Sequence, residues 1–313
     1  MFALNGGRKR SVHTGNGSAS RDGLCLSSLA GAIVLAFSFM LTVSLAGCVS
    51  NAAIMPKDPL AVLGKGASYY IVFPVKQNLE LVKLFAARQK DGATLLQASD
   101  RTDIVYAGIF GSDMRLMATG SFPKAAAPVV FPAIKGWKKV SESGIGSWYT
   151  SGSANAAIPR QNVVLMTSGA GTGEGMRDML HNLDVPQMPV ASPDFTSFAA
   201  IVSPDGRIGM YLSDVQSLTT LLLGPDISLP VQYAEIYAIP QAKAESGDTL
   251  RYLVSIHAVL KDSRSSKAMT TLLRLALPRL EVKIDGMDLY ISSIEITAEK
   301  LVELVGNMYF TGK

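Results

Sequence analysis

Two stretches decide the fold: Asp103-Ile-Val-Tyr-Ala-Gly-Ile-Phe110 and, in the second half of the chain, Gln232-Tyr-Ala-Glu-Ile-Tyr237. Both are rich in β-branched and aromatic residues, as a half-buried strand requires, and both contain a Tyr-Ala step. The segments downstream of the two are also alike. After the first come Arg115-Leu-Met-Ala-Thr119, a helical segment from Lys124, a strand through 137–140 and then Trp148-Tyr-Thr-Ser151. After the second come Arg251-Tyr-Leu-Val-Ser-Ile256, a helix opening at Lys267-Ala268, a strand through 280–284 and then Leu289-Tyr-Ile-Ser292. Lys124 to Trp137 and Lys267 to Leu280 are both separated by 13 positions. Such recurrence predicts an internal duplication of one supersecondary unit.

Each half reads strand, helix, strand, strand, helix, strand. Leu79, Val82, Phe85 and Ala86 fall on one face of a helix over 79–87. Ser213-Asp-Val-Gln216 has the form of a capping box before an apolar helix over 218–223, which Gly224-Pro225 would stop. Tyr252, Val254, Ile256, Ala258 and Leu260 alternate along one strand face. A last helix over 298–308 gathers Leu301, Val302, Leu304, Val305 and Met308, with Thr297 as N-cap. The order predicts an α+β fold of two similar split-βαβ, ferredoxin-like units, each an antiparallel-containing sheet with helices on one face. The first repeat is placed at 68–190 and the second at 191–313; a single larger α+β sheet is the alternative.

Upstream, residues 1–23 are polar and hold Arg8, Lys9, Arg10 and Arg21, whereas 23–47 carry no charge and include Leu29-Ala-Gly-Ala-Ile-Val-Leu-Ala-Phe-Ser-Phe-Met-Leu41. A basic stretch leading into an apolar one marks an export signal. It ends in Leu45-Ala46-Gly47-Cys48. This resembles the lipobox of bacterial lipoproteins, where an aliphatic and two small residues precede the modified cysteine. The resemblance implies a signal peptide over 1–47, cut before Cys48, and diacylglycerol on the Cys48 thiol. Leu45, Ala46 and Gly47 would then be the recognition positions for the signal peptidase. Several acyl chains, at about 0.8 kcal/mol per buried methylene, hold a soluble body on a bilayer. An uncleaved membrane span and an ordinary secretory signal are the alternatives. In that family an Asp after the cysteine retains the protein at the inner membrane; Val49 here points to the outer one. Residues 48–67, with Pro56, Pro59, Gly64 and Gly66, read as a tether.

The net charge of +4 belongs to the leader: without 1–47 there remain 25 basic and 24 acidic side chains. A nearly neutral body gives no electrostatic basis for nucleic-acid binding. With Cys25 in the leader, Cys48 is the one thiol left, so neither an internal disulfide nor a Cys-x-x-Cys metal site can form. Gly169-Ala-Gly-Thr-Gly-Glu-Gly175 lies between a strand over 162–167 and a helix over 176–183. Its spacing fits neither a dinucleotide fingerprint nor a P-loop, leaving a flexible connection or a simple anion loop. His181 falls on the polar side of its helix, and His257 on the strand face opposite Ile256 and Ala258. Neither has a nucleophile or second ligand nearby in sequence. Tyr69, Tyr70, Phe73, Trp137, Trp148 and Tyr149 are core candidates that could also line a groove. The chain thus reads as an envelope lipoprotein facing the periplasm or cell surface, with no cofactor, metal or catalytic residue assigned. Its expected partners are the bilayer, through Cys48, and another envelope protein. An envelope hydrolase with groups converging in three dimensions, or a small-ligand carrier, are the alternatives.

Overall fold

Period-two alternation builds nearly everything in this molecule. A computed structural model describes residues 58–89, 92–152, 154–168, 173–185, 195, 197–198, 206–213, 215–216, 230–241, 249–276 and 280–310. Its strands are β1 (Tyr69–Pro74), β2 (Thr102–Phe110), β3 (Asp113–Gly120), β4 (Lys138–Glu142), β5 (Gly146–Ser151) and β6 (Ala154–Arg160). They continue with β7 (Val163–Ser168), β8 (Ile208–Leu212), β9 (Val231–Pro240), β10 (Arg251–Leu260), β11 (Glu281–Asp285) and β12 (Asp288–Thr297). All join one 12-stranded sheet in the order β11-β12-β10-β9-β8-β1-β2-β3-β7-β6-β5-β4. The strands before residue 190 lie together, as do those after it, and β1 meets β8 at the seam.

The described helices are α1 (Pro59–Leu63), α2 (Leu79–Ala86), α3 (Gly92–Ser99), α4 (Ala127–Val130), α5 (Glu174–Asp184), α6 (Ser265–Ala276) and α7 (Ala298–Phe310). They divide between the two sheet faces. On one face α1 and α5 cover Tyr70, Val72, Tyr106, Met117, Val163 and Leu165, with Phe195 and Phe198 over Tyr211 and Tyr237. On the other face α3 and α4 cover Leu116, Ala118, Val164 and Met166. Beyond them Leu273 of α6 packs on Ile256, Ala258 and Leu260, and α2 and α7 pack on Tyr252 and Val254. Successive residues such as Leu116 and Met117 therefore belong to opposite cores, because strand side chains alternate.

Several expectations need correction. Every ladder is antiparallel. A split-βαβ, ferredoxin-like unit requires a parallel central pair made by a crossover, and no such pair occurs among the described strands. Tight turns dictate this: Gly111 (φ +61°) closes β2 on β3 and Gly286 (φ +63°) closes β11 on β12. Helices occupy both faces, not one, because the strands at mid-sheet are apolar on both sides. The equivalence drawn from Trp148-Tyr149 and Leu289-Tyr290 is not a spatial one. β12 pairs with β10, whereas β5 is held by β4 and β6, away from β3. Finally, 59–63, placed in the tether by its prolines and glycines, is a helix with Leu60, Ala61, Val62 and Leu63 all buried. Elements that match their sequence pattern include α2, β10 and α7, whose Lys300 N–H donates to Thr297 Oγ1 at 3.3 Å.

Candidate functional site

Two polar constructions stand on the face that carries α1 and α5. The first is the seat of α1. Five residues are too few to be stable as a helix alone, so the protein must supply what the chain lacks. At the N-terminus Asp58 Oδ1 accepts from the N–H groups of Leu60 (3.1 Å) and Ala61 (3.2 Å). At the C-terminus three consecutive carbonyls, left without helical donors, are met by side chains from three elements. Asn182 of α5 donates to Val62 O (3.4 Å), Arg115 of β3 to Leu63 O (2.9 Å), and Tyr70 of β1 to Gly64 O (2.7 Å). Arg115 also pairs with Asp178 of α5 at 3.0 Å and lies over the Phe110 ring at 4.3 Å. Gly64 (φ +95°) admits this arrangement, since a Cβ there would come within 2.8 Å of Arg115 Nη1.

The second construction grows from the register. Tracing cross-strand partners from one edge to the other gives a single transverse row, in which neighbours point to the same side. It runs Lys283, Tyr290, His257, Glu235, Tyr211, Tyr70, Gly108, Arg115, Thr167, Asn155, Thr150, Lys138. Apart from Gly108 every member has a polar side-chain group, although the rows to either side are largely apolar. Asn155 donates to Thr167 Oγ1 at 3.1 Å where both are buried. In the second half the row holds a charge cluster across three strands. His257 Nε2 faces Asp288 Oδ1 of β12 at 2.8 Å, and Nδ1 faces Glu235 Oε2 of β9 at 3.4 Å. Tyr237 donates to the same Glu235 oxygen at 2.9 Å, and Tyr290 stacks on the imidazole at 4.7 Å with an 8° interplanar angle.

The electrostatics come from position. Glu235 is only 4% exposed, so its charge requires partners. The hydrogen bond to Glu235, reinforced by that to Asp288, raises the His257 pKa above the ordinary histidine value against a partial opposition from burial. When protonated, the ring donates from both nitrogens and ties β9, β10 and β12 together. Burial and the bond to Glu235 push the Tyr237 hydroxyl up as well, so it stays a donor. With both imidazole nitrogens facing carboxylates, the geometry is that of a clamp and not of a base poised beside a nucleophile. Among the described residues no group of three His, Cys, Asp or Glu side chains is placed to hold a metal ion.

The sequence candidates are scattered over the molecule. Leu45, Ala46, Gly47 and Cys48 lie outside the described residues, as do positions 169–172 of the glycine loop and the helix expected over 218–223. Gly173 caps α5 with φ +75° against Trp148, and Gly175 sits against Arg115 Nε, where a Cβ would come within 3.3 Å. His181 is exposed on α5, as its helix position implies. The aromatic set does not line one groove. Tyr70 and Trp148 belong to the core under α1 and α5, while Tyr69, Phe73, Trp137 and Tyr149 face the opposite side. Arg115, Glu235 and Asp288 are not legible as partners in the sequence. The available signal is a charged residue inside an apolar alternating run, on the face shared with tyrosines.

Comparison with known proteins points to outer membrane-associated lipoproteins. Residues 55–302 match the family described as Outer membrane-associated lipoprotein TP0453. Outer membrane protein TP0453 of Treponema pallidum (strain Nichols) is 27% identical over 256 residues, covering 80% of this chain and 86% of the relative. Two crystal structures of TP0453, crystal forms III and I, superimpose with a TM-score of 0.63 each, at 25% and 26% identity. Both cover 80% of this chain and 98% of the solved one. No helix among the described residues is long and apolar enough to cross a membrane.

Proposed function

The chain belongs to the family of outer membrane-associated lipoproteins typified by TP0453, and from that premise we propose that Cys48 carries its lipid and that its body binds another envelope protein. It is a membrane-associated envelope lipoprotein with a mixed helix and antiparallel-sheet body. The observation that carries the reading of Cys48 is where the family match begins. It starts at residue 55, just downstream of Leu45-Ala46-Gly47-Cys48, so the lipidation motif abuts the family body. The seating of α1 supports it further, because the chain leaving Cys48 is gripped by the sheet within ten residues. Two features support a binding role for the body. In the polar row His257 and Glu235 are paired with each other and Arg115 with Asp178, and the broad helix-covered body offers recognition area. The order shared by β1-β2-β3-β7-β6 and β8-β9-β10-β12-β11, read outward from the seam, supports duplication of 68–190 and 191–313, with β4-β5 added to the first copy.

The test is Cys48→Ser in the native host. Mass spectrometry of the mature protein should show acyl chains on Cys48 in the wild type, and the variant should lose both processing and membrane retention. An unaltered membrane fraction for the variant would sink the anchor. Cross-linking in intact cells, with subsequent detergent extraction, should recover one recurrent envelope protein with the wild type, and repeated recovery of none would remove the binding role.

A further inference from the structure

We propose that the hairpin β11–β12 is a pH-released flap, clasped to β10 while His257 is protonated and loosened about Ser293 when the ring becomes neutral. The ladder itself provides the hinge. Val254 pairs with Ile294 and Ile256 with Ile291, so Ser292 and Ser293 together stand opposite Ser255. This bulge, with Ser293 at φ +62°, divides β12 into two lengths. Residues 294–297 pair with 251–254 and run directly into α7, whereas 288–291 pair with 256–259 and follow the turn from β11. β11 is the last strand of the sheet order, so among the described strands the flap joins the sheet through 288–291 alone.

The direction of release follows from which partner can turn to water. His257 Nε2 faces Asp288 Oδ1 at 2.8 Å and Nδ1 faces Glu235 Oε2 at 3.4 Å. A neutral imidazole has one N–H and one lone pair, so one carboxylate must lose its donor. Glu235 is 4% exposed, and losing the ring N–H there leaves a buried charge short of a partner. The Asp288 side chain is 45% exposed and takes up water instead. The remaining proton therefore stays on Nδ1, although the Asp288 bond is the shorter, and Nε2 turns its lone pair toward Asp288. Tyr290, stacked on the ring at 4.7 Å, loses the attraction of a cation for its π face at the same step. Both losses fall on β12 and none on β9. The other neighbours do not offset them. Tyr233, edge-on to the imidazole at 6.4 Å, and Tyr237, with Arg207 over its ring at 5.8 Å, belong to the β9 side. Lys283 and Asp285 of β11 move with the flap. The hydrogen bonds to Glu235 and Asp288 hold the ring's pKa above about 6.5, so the clasp is complete below that value and is lost as pH rises through the folded one. On the opposite face Val282, Leu289 and Ile291 stay packed with Leu273 of α6, so the flap loosens and does not detach.

The experiment uses the full-length protein in mild detergent, with amide hydrogen exchange read by mass spectrometry and corrected for the intrinsic effect of pH on exchange. A pH series crosses the midpoint of His257, whose ring resonances are assigned with His181→Gln, a substitution at an exposed helix position. In the wild type, exchange over 282–285 and 288–291 should accelerate on the order of tenfold relative to 294–297, as loss of one charge-assisted bond implies. His257→Gln should show the fast pattern at every pH. In Asp288→Asn a side-chain amide donates to the neutral ring nitrogen, so the same pH step should leave the two lengths of β12 alike. This second variant, at a half-exposed side chain, decides the matter even where His257→Gln does not fold. Equal acceleration on both sides of Ser293, a larger change in β9 than in β12, or no change across the step overturns the flap. Asp288→Asn keeping the full wild-type response overturns the clasp as its cause.

Discussion

A single imidazole between two carboxylates makes this protein's stability depend on pH. The His257 pKa is raised by its bond to Glu235 and then by that to Asp288. A raised folded-state pKa means that the stabilisation is fully present below the unfolded value, about 6.5, and is lost as pH rises through the folded value. The thermal midpoint should therefore fall as pH rises above about 6.5, and His257→Gln should flatten that dependence; an identical pH profile for the variant would contradict the clamp. A second residue of this kind is Asn78, which is 1% exposed. It donates to Pro74 O (2.7 Å) and Gly206 O (2.9 Å) and accepts from the Tyr252 hydroxyl at 2.9 Å. It therefore joins the end of β1 to β10 across the seam. Asn78→Ala leaves these groups buried without a partner and should cost about 3 kcal/mol in urea unfolding.

Elements behave according to how their ends are completed. α1 is held by its surroundings and not by its own propensity, so truncating a side chain beneath it should act on the whole domain. Leu63, fully buried, is the sharpest case: Leu63→Ala should lower stability by about 2–5 kcal/mol. Limited proteolysis near residue 58 should accelerate in the same variant. The outer strands show the opposite strategy, each with one edge unpaired among the described strands and defended by charge. β4 carries Lys138, Lys139 and Glu142, and β11 carries Glu281, Lys283 and Asp285. Replacing Lys138 and Lys139 with Val should produce concentration-dependent self-association on size exclusion, whereas the parent should elute unchanged over the same range. This scale also marks the limit of what can be read from the chain alone. β10 and α7 are legible because an unbroken apolar period fixes type and face together. α1 is not, since five residues bounded by Pro59 and Gly64 have too little period to distinguish helix from tether. Its helicity comes from Arg115, Asn182 and Tyr70, distant in sequence.

At the scale of the whole molecule, local words specify the strands and their faces, while their order depends on turns and pairings between remote segments. Tyr106 and Tyr233, matched as words, do occupy the same sheet face. The halves nevertheless form one continuous sheet, because alternation is silent on whether neighbouring strands run parallel or antiparallel. His257 illustrates the same gap: its strand is legible in the sequence, but Glu235 and Asp288 reach it only once β9, β10 and β12 are adjacent. The seam has a further effect during biogenesis. β1 is the earliest of the described strands to emerge, yet its second neighbour, β8, is made only after β2 to β7. Until then the nascent half exposes an open rim of unpaired amides, and a β8 from another copy fits that rim as well as its own does. Refolding at high concentration should therefore yield exchanged dimers, in which each C-terminal half completes the N-terminal half of its neighbour, and dilution before refolding should suppress them.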